Sequence, residues 1–193
     1  MEKYYNGYVF DLAKEEDIKG IMELELKYFD TLAYKEEDIR KWMKHNNEMF
    51  YVVKDNENKV IAFTIIAPIT ENCYNKFKCG IFTDMNEFEL NDITDTMESD
   101  YYYFADVVSD KKNALAAMII FKHILPILWE KPKYIVATPV SNSGKNKALK
   151  LKAKNLNGDS ILDLGKPCYI NVGEAAETAK SMVDTIKRVL EKK

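Results

Sequence analysis

The sequence is short of the residues that build cross-linked or metal-bound folds. Its three cysteines, Cys73, Cys79 and Cys168, are odd in number and show no CxxC spacing, which argues against both a disulfide framework and a zinc site. The two histidines, His45 and His123, lie far apart without an HxH or HxxxH pattern. We therefore predict no metal site, and ordinary thiols in a reducing compartment.

An excess of positive charge and long apolar runs are also lacking. The 28 basic and 31 acidic residues are well mixed and leave a net charge of −3, so the sequence predicts no basic face for nucleic acid or anionic lipid. No apolar run approaches the ~20 residues of a membrane span, and the opening segment has no apolar core of an export signal. We expect a cytoplasmic protein without nucleic-acid or membrane partners.

Apolar residues, by contrast, are abundant enough for one core. They make up 47% of the 193 residues, and we expect a single domain over residues 1–193. The β-rich runs that predict strands are Tyr8–Leu12, 49–54, 60–67 and 134–139. The polar segment DNENK predicts an antiparallel hairpin between the second and third runs. Pro68 is expected to end the third run.

Helical periodicity accounts for much of the remaining chain. Residues 14–29 and 35–44 predict amphipathic helices, 141–154 predicts a basic helical segment, and an apolar stripe predicts a C-terminal helix over 173–193. Residues 69–100 form an acidic, irregular insertion, and 160–164 with 168–172 predict a last hairpin. This order of elements mixes a hairpin with a strand–helix–strand crossover and predicts an α/β or α+β class with a mixed sheet.

The stretch from Tyr101 to Leu128 carries the clearest functional signal. The aromatic strand DYYYFADVVS passes through the polar elbow DKKNA into the apolar helix LAAMIIFKHIL, and Pro126 is expected to kink or end that helix near His123. A strand that turns directly into a helix directs backbone N–H groups and a positive dipole end outward. The stretch therefore predicts an anion site of the kind that binds phosphate.

These segments resemble the Gcn5-related N-acetyltransferase (GNAT) family over most of residues 8 to 172. FDLAKEEDIKGIMELE is similar to the family's first strand and helix, and FYVVKDNENKVIAFTII to its second and third strands. YFADVVSDKKNALAAMII lies over its fourth strand and acyl-CoA pyrophosphate loop, and YIVATPVSNSGKNKALKLKAKN over its fifth strand and following helix. The resemblance implies an α/β (α+β) fold with a mixed, mostly antiparallel central sheet flanked by helices, plus an additional C-terminal helix.

The resemblance also implies where acetyl-CoA would bind. Lys112 stands at the family's basic first loop position, Leu115 at its first glycine and Ala117 at its final Gly/Ala. Leu115 is expected to crowd the pyrophosphate or turn into the core, and to resist a positive φ. The candidate cofactor-binding residues are Val107, Val108, Lys112, Asn113, Ala114, Leu115, Ala116, Ala117 and Asn142.

Two residues are candidates for proton transfer. Family members often use a carboxylate of the fourth strand as general base, and Asp106 is better placed than Asp100; a purely structural role at the strand end is the competing interpretation. The family's usual acid is a tyrosine after the fifth strand. Lys152 is the nearest match there, and Tyr169 is the substitute by chemistry.

The resemblance implies an acyl-CoA-dependent N-acyltransferase that acts on a primary amine without a covalent enzyme intermediate. The acidic insertion favours a cationic small-molecule or peptide amine as acceptor. The alternative is a catalytically inactive GNAT-fold protein that binds or regulates a partner. The C-terminal helix suits homodimerisation or partner docking if it does not simply pack on its own sheet.

Overall fold

The computed structural model describes residues 3–5, 7–110 and 113–191. Over these residues the chain forms seven strands and six helices. The strands are β1 (Lys3–Tyr5), β2 (Tyr8–Leu12), β3 (Phe50–Lys54), β4 (Val60–Ile69), β5 (Tyr101–Ser109), β6 (Tyr134–Ala137) and β7 (Cys168–Asn171). The helices are α1 (Ile18–Phe29), α2 (Glu36–His45), α3 (Glu71–Lys78), α4 (Ala114–Glu130), α5 (Asn142–Lys150) and α6 (Val172–Leu190).

The strands follow one another in the sheet in chain order, from β1 to β7. The pairs β1/β2, β2/β3, β3/β4 and β6/β7 are antiparallel, whereas β5 and β6 run parallel because α4 connects them as a crossover. The mixed, mostly antiparallel sheet flanked by helices and the C-terminal helix are therefore confirmed.

The chain divides into two compact units. The described residues of Met1–Ile65, Asp106–Ile124 and Thr185–Lys193 make up the first, and Ile66–Ala105 with Leu125–Asp184 make up the second. The expectation of a single domain over residues 1–193 stays a prediction. No helix of the described chain is both long and apolar enough to cross a membrane.

In the first unit, β2 and β3 pair edge to edge and α1 and α2 contribute buried apolar faces. Ile18 and Ile21 of α1 and Trp42 of α2 are almost completely buried, as their helical spacing predicts. Gly20 belongs to the same region, and a Cβ placed there would lie 2.8 Å from the Cβ of Val60. A glycine is therefore needed for α1 to approach the start of β4 this closely.

In the second unit, the segment predicted as an irregular insertion is largely ordered. Thr70 caps α3 by accepting a hydrogen bond from the N–H of Cys73 at 3.2 Å. Lys76 binds the buried carboxylate of Asp92 at 2.6 Å, which ties the end of the insertion to its first helix. The prediction that residues 69–100 are irregular was wrong over α3, because a Thr cap and the buried side chains of Cys73 and Phe77 stabilise a helix there.

Two prolines do not end the elements that contain them. β4 continues through Pro68 to Ile69, since Pro68 takes part in pairing with its carbonyl, which accepts from the N–H of Thr94 at 2.9 Å. Helix α4 runs past Pro126 to Glu130. Ile124 and Leu128 are buried on either side of this proline, and their burial offsets the lost backbone hydrogen bond.

The predicted hairpin of residues 160–164 with 168–172 does not form. Only Cys168–Asn171 is a strand, and it pairs with β6. The position that residues 160–164 would occupy beside β7 is taken by Lys154, which exchanges two backbone hydrogen bonds of 2.9 and 2.8 Å with Tyr169. Strand β1, which the sequence did not predict, pairs with β2 over three residues.

Candidate functional site

The candidate phosphate site lies in the first unit, where β5 turns into α4. The N–H of Asp110 still donates to the carbonyl of Ile61 at 2.9 Å, so the strand stays paired to its end. The N–H of Asn113 then donates to the carbonyl of Asp110 at 2.7 Å, directly before α4 begins at Ala114. The candidate Lys112 lies outside the described residues, as does Lys111.

A side chain of this turn is fixed on α1. Lys27 binds one carboxylate oxygen of Asp110 at 3.2 Å, and the hydroxyl of Tyr28 donates to the other at 3.4 Å. The hydrogen bond from Lys27 to Asp110 raises the pKa of the lysine. The positive charge of Lys27 offsets the negative charge that Asp110 places near the start of α4.

The start of α4 is a helix N-terminus in which one of the first N–H groups is already paired. That of Ala116 donates to the carbonyl of Asn113 at 2.9 Å. An α-helix provides no intrahelical acceptor for the N–H groups of its first residues, here Ala114 and Leu115, and its dipole places partial positive charge at this end. This arrangement suits a phosphate group.

The residues around the turn separate into buried and accessible positions. Val108 and Ala116 are buried, Ala114 is exposed, and Val107, Asn113, Leu115 and Ala117 are half-buried. Leu115 is the second residue of α4, and the non-glycine residues with positive φ in the described chain are Asp30, Asn58 and Lys152. Leu115 therefore has no positive φ, since the helix begins one residue before it, and the expectation that its side chain crowds the pyrophosphate stays a prediction.

Asp106, the candidate base, lies on β5 in the same unit and is half-buried. Its backbone carbonyl accepts a hydrogen bond from the hydroxyl of Thr64 at 2.5 Å, which fixes this part of β5 against β4. The pairing of β5 with β6 ends at Phe104 and Ala137, and β5 continues to Ser109 without that partner. The catalytic role of Asp106 stays a prediction.

Two further candidates lie in the second unit. Asn142 is the exposed first residue of α5, whose N-terminus is capped by the hydroxyl of Ser141 accepting from the N–H of Gly144 at 3.1 Å. Lys152, the nearest match to the family's acid, is exposed and has a φ of 59° just beyond this helix. The contact of Asn142 with a cofactor stays a prediction.

Tyr169, the candidate acid, is a buried side chain on β7. Its ring lies 4.6 Å from Nζ of Lys78 and meets the edge of the Tyr74 ring at 6.0 Å between centroids. Its hydroxyl makes no hydrogen bond within the described residues, and burial raises the pKa of the phenol above its ordinary value. The phenol therefore keeps its proton at neutral pH, and its role as acid stays a prediction.

The second unit also contains a carboxylate that the sequence did not single out. The hydroxyl of Tyr103 on β5 donates to Oδ2 of Asp84 at 3.4 Å, and the N–H of Asn86 donates to Oδ1 at 2.9 Å. The neighbouring carbonyl of Thr83 accepts from the hydroxyl of Thr138, just after β6, at 2.6 Å. Burial raises the pKa of Asp84. The capping-box spacing of Asp84 and Glu87 was the one signal in the sequence for this turn.

The two buried cysteines are chemically unreactive, and the described residues contain no metal-binding group. Burial raises the pKa of the Cys168 thiol to about 12 and also raises that of Cys73, so both are inert as nucleophiles. Within residues 3–5, 7–110 and 113–191, no group of three or more His, Cys, Asp or Glu residues is arranged to hold a metal ion.

Comparison with known proteins identifies the fold. No protein-family model matches the sequence, and the curated proteins contain no match to it. Among solved structures, the loading GNATL domain of CurA from Lyngbya majuscula has a TM-score of 0.55 and 15% identity, covering 81% of this chain and 79% of its own. The GNAT family N-acetyltransferase YhbS from Escherichia coli in complex with CoA has a TM-score of 0.53 and 12% identity over 92% of this chain and 87% of its own.

A third similar structure is the GphF GNAT-like decarboxylase in complex with isobutyryl-CoA. Its TM-score is 0.52 and its identity 11%, over 72% of this chain and 70% of that one. At these identities the similarity establishes the fold alone, and the chemistry has to be argued from the residues.

Proposed function

We propose, from the premise that this chain adopts the Gcn5-related N-acetyltransferase fold, that it is an acyl-CoA-dependent N-acyltransferase. The observation that carries the proposal is the junction at which β5 ends at Ser109 and α4 begins at Ala114. The amides of Ala114 and Leu115 would bind the pyrophosphate of the cofactor. Two structures of the same fold contain CoA or isobutyryl-CoA, which supports a CoA-type donor, with acetyl-CoA as the first one to test.

The proposed chemistry is direct transfer. The nitrogen of a primary amine attacks the thioester carbonyl, the carbon–sulfur bond then breaks, and the CoA thiolate takes up a proton as it leaves. Asp106 is the proposed acceptor of the ammonium proton before the attack, directly or through water. Tyr169 is the proposed donor to the thiolate, and the second proton that the nitrogen loses on becoming an amide restores the phenol. No covalent bond to the protein forms at any stage.

A cationic amine is the proposed acceptor. In residues 69–100 acidic side chains far outnumber the two lysines, Lys76 and Lys78, and one of these, Lys76, is already paired with Asp92. The negative potential of this segment favours positively charged ligands over neutral ones.

Replacement of one backbone donor tests the phosphate site directly. Ala114→Pro removes the N–H of the first residue of α4, a position where proline is compatible with the helix. A lost hydrogen bond to a charged group weakens binding by roughly ten- to a hundredfold, so the dissociation constant for CoA in calorimetric titration should rise by that factor. The melting temperature without ligand should change little.

Glu71→Pro is the matched control, because Glu71 is the first residue of α3 and Thr70 before it has an extended backbone that proline accepts. This variant should bind CoA like the wild type. The same titration with Leu115→Gly measures whether the leucine restricts access to the amides. If neither the wild type nor Leu115→Gly binds CoA, the acyltransferase proposal fails.

A further inference from the structure

We propose that Asp84 is the residue that binds the ammonium group of the acceptor, with the buried hydroxyl of Tyr169 as a second polar contact. This inference rests on the proposed acyltransferase function and names the acceptor side of it. The ligand class is an elongated primary amine that carries a second polar group, such as a diamine.

The position of Asp84 in the second unit is the first argument. Tyr103 pairs with Val136, and the parallel pairing of β5 with β6 ends one residue later, at Phe104 and Ala137. The turn that contains Asp84 is bound to both strands at this end, through the hydroxyls of Tyr103 and Thr138. Ligands of α/β sheets bind beyond the carboxyl ends of parallel strands.

The second argument is electrostatic. The carboxylate of Asp84 is partly desolvated, and in the described residues it accepts hydrogen bonds from the N–H groups of Asn86 and Glu87 and from the more distant hydroxyl of Tyr103. Its neighbour Glu87 adds a second negative charge to the same turn. A desolvated carboxylate is stabilised by a cation, and the described chain supplies no ion pair to Asp84, whereas Asp92 has Lys76.

The third argument is that Tyr103 and Tyr169 lie on the same face of the sheet. Tyr103 pairs with Val136, and Val136 pairs with Tyr169, so the three residues form one cross-strand row. Neighbouring strands are about 4.8 Å apart, which places the backbones of Tyr103 and Tyr169 roughly 10 Å from each other. One phenol of the row donates to Asp84, and the other has a buried hydroxyl with no partner in the described chain.

This spacing is why the acceptor should be elongated. A ligand with an ammonium group at Asp84 and a second polar group at Tyr169 would satisfy both sites. The ring of Tyr169 already has a lysine ammonium, that of Lys78, at 4.6 Å, so the second group of the ligand is expected to bind the hydroxyl of Tyr169 and not the face of its ring.

The test is a calorimetric titration of the full chain with 1,6-diaminohexane and with 1,6-hexanediol as the neutral probe. Wild type should bind the diamine and not the diol. Asp84→Asn should weaken diamine binding by roughly ten- to a hundredfold and leave CoA binding unchanged, and Tyr169→Phe should weaken it by a smaller factor. Asp95→Asn, which removes an exposed charge from the same segment, should bind both ligands like wild type.

Three results would overturn the inference: no diamine binding by wild type, equal binding by Asp84→Asn, or an equal loss in Asp95→Asn. Because CoA and diamine are titrated separately, failure of the proposed function can be distinguished from failure of this inference. A wild type that binds diamine but not CoA retains the amine site and loses the acyltransferase assignment.

Discussion

At the scale of single residues, the buried charges of this chain are mostly compensated in pairs. Lys54 and Asp17 are both about 4% exposed and lie 2.8 Å apart, and the N–H of Lys14 also donates to Asp17 at 2.9 Å. Such a pair avoids the cost of an isolated buried charge, although it adds little net stability. Against this background, the unpaired hydroxyl of Tyr169 and the desolvated carboxylate of Asp84 are two positions that a ligand would stabilise.

The surroundings of His123 determine its tautomer and its pKa. Lys3 lies 3.3 Å from Nδ1 and Tyr5 lies 2.5 Å from Nε2, while the ring of Phe10 stacks on it at 4.3 Å. An ammonium is only a donor, so Nδ1 accepts and the neutral ring carries its proton on Nε2. Burial, followed by the charges of Lys3 and Lys122, lowers the pKa of His123 to about 4.

This environment predicts a loss of stability in acid. The unfolded chain binds a proton at His123 near pH 6.5, whereas the folded chain resists protonation down to about pH 4. The stability contributed by His123 is therefore present above pH 6.5 and declines as the pH falls toward 4, by about 3 kcal/mol in total. Urea unfolding at pH 7 and pH 4.5 should show a smaller decline in His123→Gln than in wild type. An equal decline of the unfolding free energy in His123→Gln and wild type would contradict the role of His123. His45→Gln is the control and should decline like wild type.

At the scale of elements, close approach explains where the chain tolerates no side chain. Helix α1 passes the start of β4 at Gly20, where an added Cβ would lie 2.8 and 2.9 Å from two carbons of Val60. Helix α6 has a glycine in its first turn as well, yet the nearest atom to a Cβ at Gly173 is the side-chain oxygen of Asn171 at 3.4 Å. Close packing against β4 therefore requires a glycine at position 20, whereas position 173 has room for a methyl group.

The contrast gives a prediction for the pair. Gly20→Ala gains helix propensity but overpacks α1 against β4, so we expect the free energy of unfolding to fall by about 1–2 kcal/mol. Gly173→Ala should raise it by up to about 1 kcal/mol. Denaturant unfolding followed by circular dichroism measures both. Val60→Ala in the Gly20→Ala background should recover part of the loss, and stabilisation by Gly20→Ala alone would refute the packing argument.

The C-terminal helix uses its apolar stripe partly within the chain. Val172, Ala175, Ala179 and Val183 are buried, whereas Met182, Ile186, Val189 and Leu190 keep part of their surface exposed. Packing within the chain therefore accounts for the first half of the stripe. Homodimerisation through the second half stays a prediction.

At the scale of the whole molecule, cofactor binding and stability are linked. A ligand that binds only the folded state at a hundred times its dissociation constant stabilises it by about 2.7 kcal/mol. For a chain of this length that corresponds to a rise in melting temperature of roughly 5–10 °C. Thermal melts should show the rise growing with CoA concentration and reduced in Ala114→Pro at equal concentration. A melting temperature independent of CoA would contradict the proposed function.

Much of the fold followed from the sequence because its determinants are local. The alternation and apolar runs of β2, β3, β4 and β6 and the periodicity of α1, α2 and α6 specify elements that form wherever their apolar faces can be buried. The order of these elements then limited the topology to a mixed sheet, since a strand–helix–strand crossover demands a parallel pair.

Tertiary structure decided the features that depend on distant residues. Pro68 remains in β4 because its carbonyl accepts a hydrogen bond from the N–H of Thr94. Residues 160–164 form no strand because the backbone of Tyr169 is already hydrogen-bonded to Lys154. Leu115 has a helical backbone because α4 begins at Ala114. Likewise, Asp84 became a candidate only when the fold brought it to Tyr103. Contacts between residues far apart in sequence carry no local pattern, so the sequence alone determined the elements while the folded chain determined the site.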